Sequence, residues 1–109
     1  MTGPKRILIL GSTGSIGTQT IDVVGAHPDR LQIVGLAAGN NATALSRQAA
    51  DLGVTMLALA DEQAARGLGT AGIFAGPQGI CDLVTACEPD LVVGAISGSA
   101  GLRPLLTAL

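Results

Sequence analysis

Tryptophan and tyrosine are absent from this sequence, and Phe74 is its single aromatic residue. Core volume must come from Leu, Ile, Val and Ala, which suits buried strands sandwiched between helices. Positive charge is also scarce. Six Lys and Arg stand against eight Asp and Glu, scattered at Lys5, Arg6, Arg30, Arg47, Arg66 and Arg103. No basic stripe with interleaved aromatics exists, so no nucleic-acid partner is expected. No apolar run reaches the length of a membrane span, so no membrane partner is expected either. The first residues enter a strand pattern without a signal-peptide or transit pattern, which makes a cytoplasmic location the expectation. His27 is the single histidine, and Cys81 and Cys87 are the two cysteines. Three such residues are too few for a metal cluster of their own, and reduced thiols are expected. His27 precedes Pro28, where it reads as the end of a helix.

What is there supports one compact domain. The chain has 109 residues, 48% of them hydrophobic, and its 16 glycines sit in discrete turns. Apolar runs and helical patterns alternate. Strands are expected at 6–10, 31–37, 55–59, 73–75 and 91–96. Helices are expected at 15–26, 42–52, from Asp61 to about 68, and to about 87 after Gly76 as cap and Pro77 in the first turn. Asn40 or Asn41 and then Asp61 supply caps, and Gly53 supplies a helix stop. Ser97 to Gly101 reads as a small-residue loop, and residues 102–109 begin another helix. The pattern stops inside that helix, so a truncated chain is expected. Alternation of this kind predicts an α/β fold: a doubly wound, Rossmann-like parallel sheet with helices on both faces.

The motif with most chemistry is Gly11-Ser12-Thr13-Gly14-Ser15-Ile16-Gly17, directly after the apolar run Ile7-Leu8-Ile9-Leu10. Strand, glycine loop and helix start make a phosphate cradle. The first helical N–H groups have no partner inside the helix and point at an anion, and the helix dipole adds to the attraction. In this reading Gly11 makes the turn, and Thr13, Gly14, Ser15 and Ile16 present N–H groups. The hydroxyls of Thr13 and Ser15 bond phosphate oxygens, and Gly17 lets the helix pack closely. The alternative is a tight turn with no ligand.

Cofactor type is read after the second strand, at Leu36-Ala37-Ala38-Gly39-Asn40-Asn41. An NAD site usually places an acid there for the ribose 2′-hydroxyl. None is present, which favours NADPH over NADH, although no arginine stands in the loop either. Arg47 is the nearest cation in sequence. Helix capping is the competing explanation for Asn40 and Asn41, and a packing turn for Ser97–Gly101. No catalytic constellation stands out, and the eight acids read as caps or solvated charges.

Four segments carry a resemblance: 8–20, 34–41, 55–62 and 93–104. The first, Leu8-Ile9-Leu10-Gly11-Ser12-Thr13-Gly14-Ser15-Ile16-Gly17-Thr18-Gln19-Thr20, and the last, Val93 to Pro104, are the specific ones. Together they resemble the N-terminal domain of the 1-deoxy-D-xylulose 5-phosphate reductoisomerase family. The resemblance implies an NADPH-dependent oxidoreductase, usually a homodimer. It converts 1-deoxy-D-xylulose 5-phosphate to 2-C-methyl-D-erythritol 4-phosphate, in isoprenoid precursor synthesis, with Mg²⁺ or Mn²⁺. It implies that Gly11, Thr13, Gly14, Ser15 and Ile16 serve the NADPH phosphates. Gly39, Asn40 and Asn41 would meet the adenosine 2′-phosphate, and Ala95 and Ile96 the nicotinamide side.

Many members carry Lys or Arg where Asn40 stands, and Gly94 and Ser97 also depart from the family pattern. The family's metal carboxylates and substrate loop lie beyond residue 109. Residues 1–109 are therefore expected to be an NADPH-binding domain, with no catalytic or metal-ligating residue of its own. Alone it is expected to be inactive and, through an exposed sheet edge, prone to associate. The rivals are another NADP-linked dehydrogenase, such as a semialdehyde dehydrogenase, and a non-catalytic nucleotide-sensing module.

Overall fold

Residues 4–68 and 73–94 are described by the computed structural model of the chain. Ile7 to Leu10 are the driving feature. All four are at most 2% exposed, which requires a strand covered on both faces. That strand is β1, Lys5–Leu10, and it lies between β2, Leu31–Ala38, and β5, Leu91–Gly94. Beyond β2 come β3, Leu57–Leu59, and β4, Phe74–Ala75. The sheet order is β4-β3-β2-β1-β5, and every pair is parallel.

Each strand sends alternate residues to opposite faces. Ile7, Ile9, Leu36, Ala38, Leu57 and Leu59 form one apolar cluster. It is completed by Val24 of α1 (Ser15–Ala26), Leu45 and Ala49 of α2 (Ala42–Leu52), and Ala65 of α3 (Glu62–Leu68). Leu8, Leu10, Ala37 and Ala58 face the other way, onto Ile80, Leu83, Val84 and Cys87 of α4 (Gly76–Cys87). The chain thus winds outward over one face and returns over the other. This is the expected doubly wound architecture, and it leaves its switch point between β1 and β5.

The elements differ from expectation at their ends. β3 starts two residues late, because only Leu57–Leu59 have ladder partners on β2, at Leu36–Ala38. α4 is capped by Ala75 rather than Gly76, since β4 runs straight into the helix. Gly76 instead makes the turn at φ +76°, with Pro77 in the first helical turn. Of the two asparagines, Asn41 is the cap, its side chain accepting the Ala44 N–H at 3.1 Å. Asp61 caps α3 through the Gln63 and Ala64 N–H groups, at 2.8 and 3.2 Å. His27 closes α1 and Gly53, at φ +69°, closes α2. Ala95, Ile96, the Ser97–Gly101 loop and the expected last helix lie outside the described residues.

One irregularity sits in the middle of the sheet. Ile7 pairs with Ile33, but Leu8 pairs with Gly35, so Val34 is an extra residue in β2. The bulge places Gly35 against α4. A Cβ there would meet Cys87 Sγ at 2.6 Å and the Leu8 side chain at 2.7 Å. Gly35→Ala is therefore expected to cost about 1–3 kcal/mol by overpacking, read as a lower denaturation midpoint with unchanged slope. Gly39→Ala, with nothing near its Cβ position, is the control.

The Cys87 thiol donates toward the Val34 carbonyl at 3.5 Å. Burial pushes its pKa up, against a smaller opposing effect of the Arg6 charge. The folded state thus holds the thiol proton more tightly than the unfolded chain. Its contribution is complete below the ordinary thiol pKa of about 8.5 and is lost as pH rises through the folded value. Cys87→Val is expected to flatten this alkaline loss of stability, measured by denaturation at several pH values above neutrality.

Candidate functional site

β1 ends in the glycine loop, and the carbonyl of Ala37 on β2 holds that loop down. It accepts two N–H groups, from Gly11 at 2.7 Å and Ser12 at 2.9 Å. Gly11 then turns the chain at φ +84°, a left-handed angle that favours glycine. Ser12 is fully buried, and its carbonyl accepts the Gln48 Nε2–H from α2 at 2.8 Å. Thr13 is half-buried and Gly14 exposed, and α1 begins at Ser15.

The glycines divide into two kinds. Gly17 is required by the fold, because a Cβ would lie 2.6 Å from Ser12 Cα and 2.8 Å from Ser12 C. Those are backbone atoms and have no room to yield. Gly11 is required by its angle. Gly14 is required by neither. Its φ of −81° is ordinary, and a Cβ would meet only the Gly11 carbonyl at 3.5 Å. As an N-cap it even forgoes the side-chain bond that Ser or Asn would give. Gly39 is similar, with nothing within 4 Å of its Cβ position. Both lie at the carboxyl edge of the sheet, after β1 and β2. Gly25 is equally open but lies in the last turn of α1, at the far end of the helix.

The loop after β2 lies alongside. Asp61 N–H bonds the Gly39 carbonyl and Ala60 N–H the Ala38 carbonyl, both at 2.9 Å, so the ends of β2 and β3 are level. Asn40 is exposed and makes no side-chain hydrogen bond among the described residues, whereas the Asn41 side chain is committed to its cap. Capping therefore accounts for one of the two asparagines.

One N–H expected to face a ligand is already used. Gly14 N–H donates to the Gly11 carbonyl at 3.1 Å, closing the turn. Thr13 N–H has no partner among the described residues. Gln48, which sequence reasoning missed, enters from 36 residues away. Its position beside Ala49 on α2 is visible in the sequence, but its bond to the loop is not.

Two grooves lie elsewhere. The larger, 510 Å³, is lined by Pro4, Val24, Leu31, Ile33 and Leu52 at the amino ends of the strands. Ligands of open α/β sheets bind at the carboxyl ends, so geometry assigns it no nucleotide. The smaller, 180 Å³, follows the α1–α2 seam past Gln48. Among the described residues no three His, Cys, Asp or Glu side chains gather in a way that would hold a metal ion.

Residues 7–109 match the family model described as 1-deoxy-D-xylulose 5-phosphate reductoisomerase. The chain belongs to that family. The reductoisomerase of Rhodococcus jostii (strain RHA1) is 50% identical over 107 residues, covering 97% of this chain and 27% of that protein. That of Mycobacterium avium (strain 104) is 53% identical over 108 residues, covering 98% and 26%. Among solved structures, the Zymomonas mobilis reductoisomerase in complex with NADPH superposes with a TM-score of 0.85 at 30% identity. It covers 96% of this chain and 29% of that one. A reductoisomerase complex with NADPH, fosmidomycin and magnesium gives 0.81 at 30% identity, covering 95% and 27%. The chain spans about a quarter of the length of these relatives. Membership of the reductoisomerase family sets aside the semialdehyde dehydrogenase reading.

The two kinds of glycine separate experimentally. Gly17→Ala is expected to lose about 1–3 kcal/mol of stability. Gly14→Ser is expected to change it by no more than about 0.5 kcal/mol, because serine is a good N-cap. Thermal melts of the two variants beside the parent check this.

Proposed function

We propose that residues 1–109 are the NADPH-binding domain of a 1-deoxy-D-xylulose 5-phosphate reductoisomerase. The observation that carries the reading is a glycine with no structural need, Gly14, at the start of a helix in a reductoisomerase-family loop. In the proposed complex Gly11 sets the turn. The Thr13, Ser15 and Ile16 N–H groups and the Thr13 and Ser15 hydroxyls meet the pyrophosphate, and Gly14 lets it come close. Gly39, Asn40 and Asn41 border the adenosine 2′-phosphate. Asn40 offers a neutral amide there, so it orients the phosphate by hydrogen bonding rather than by charge.

NADPH supplies hydride when bound. This domain seats the cofactor, and substrate, metal and proton transfer belong to other parts of the longer protein. That protein is proposed to reduce and isomerise 1-deoxy-D-xylulose 5-phosphate to 2-C-methyl-D-erythritol 4-phosphate. It would use Mg²⁺ or Mn²⁺, as a cytoplasmic homodimer. Hydride transfer needs the nicotinamide held against the substrate. The isolated domain is therefore inactive.

The full-length protein is expected to bind NADPH at least about tenfold more tightly than NADH, a difference of about 1.4 kcal/mol. It should also oxidise NADPH when given 1-deoxy-D-xylulose 5-phosphate and Mg²⁺. Gly14→Ser should lose most of that affinity while keeping its melting temperature. Equal affinity for the two nucleotides, or none for either, overturns the reading.

A further inference from the structure

Among the described residues, Gln48 reaches the backbone of the glycine loop from another helix. It comes from α2, bonds the Ser12 carbonyl at 2.8 Å, and is partly buried. Its own Oε1 is buried with no hydrogen-bond partner, as is Ser12 Oγ. Methionine or leucine in the same seam would remove the orphaned Oε1 but leave the buried Ser12 carbonyl without its partner.

No peptide bond in the described chain is cis. In a planar trans peptide the carbonyl and the following N–H point in opposite directions. A Ser12 carbonyl drawn toward α2 must therefore send the Thr13 N–H away from α2. That N–H has no partner among the described residues, and next to it is the exposed Gly14, whose side-chain space is open. Three of the loop's other N–H groups are spent: Gly11 and Ser12 on the Ala37 carbonyl, and Gly14 on the Gly11 carbonyl.

We propose that Gln48 is a positioning residue for the cofactor's pyrophosphate, fixing the Ser12–Thr13 peptide so that Thr13 N–H faces it. This rests on the cofactor reading above and deepens it. Gln48 touches no ligand atom. It acts through the orientation of one peptide plane, and its effect is confined to ligands that carry the pyrophosphate.

The test uses the full-length protein with Gln48→Met, Gln48→Glu and Gln48→Lys. The probes are NADPH and adenosine 2′-monophosphate, which carries the 2′-phosphate but no pyrophosphate. Gln48→Met and Gln48→Glu, which lack the donor, are expected to weaken NADPH about tenfold. Binding of adenosine 2′-monophosphate should stay within about twofold. In turnover, KM for NADPH should rise with kcat little changed. Gln48→Lys restores an N–H donor and should recover most of the NADPH affinity. Glutamate matches glutamine in shape, so it keeps the test open if the methionine variant fails to fold. Unchanged NADPH affinity in the donor-less variants overturns the proposal. So does equal weakening of both probes, which would show Gln48 supporting α2 and the Asn40 end instead. Failure of the parent protein to bind NADPH overturns the cofactor reading itself, and is told apart because no variant is needed to see it.

Discussion

The carbonyl of Ala37 accepts two N–H groups, and the carboxyl edge of the domain depends on it. One acceptor on β2 ends the β1 ladder at Gly11 and starts the loop at Ser12. Had the ladder continued, the loop would begin later and α1 would meet the sheet elsewhere. Because it stops there, Gly11 turns at a left-handed angle and Gly17 comes to rest on the Ser12 backbone. Ala37 itself is fully buried by Leu8, Leu10 and α4, so the acceptor is held from the opposite face. The loop's rigidity thus starts in the core, not in the loop.

Most of this architecture was legible in the sequence. Runs such as Ile7–Leu10 have no polar alternation, which is the pattern of a strand buried on both faces. Pro28, Gly53 and Asp61 marked helix ends because their backbone preferences are local. The exact cap of α4 was not legible, since Ala75 serves through strand geometry and not through its side chain. β3 was read too long for a related reason. Its length is set by which β2 residues face it, a partner property rather than its own.

The site was legible to the same depth. Gly11 and Gly17 were readable as turn and packing glycines, because angle and steric closeness leave a spacing pattern. The division of labour among the N–H groups was not, because Gly14 N–H is consumed by a turn bond that no side chain signals. Gln48 was invisible because its contact spans 36 residues. Asn40 and Asn41 were interchangeable in sequence, and only the cap bond to Ala44 distinguishes them. The last strand's continuation and the loop after it carried much of the resemblance, but they lie outside the described residues.

The extra residue in β2 has a consequence for chain length. Before the bulge, Leu31 and Ile33 pack on the α1–α3 side; after it, Leu36 and Ala38 do. The odd-numbered positions of the first half have handed that face to the even-numbered positions of the second. Removing Val34 would restore simple alternation without turning any of these four outward. A one-residue deletion elsewhere in β1 or β2 would instead flip everything beyond it to the wrong face. β2 therefore has one place where the chain can shorten by a residue and keep both of its cores, a point of slack set beside the tightly packed Gly35.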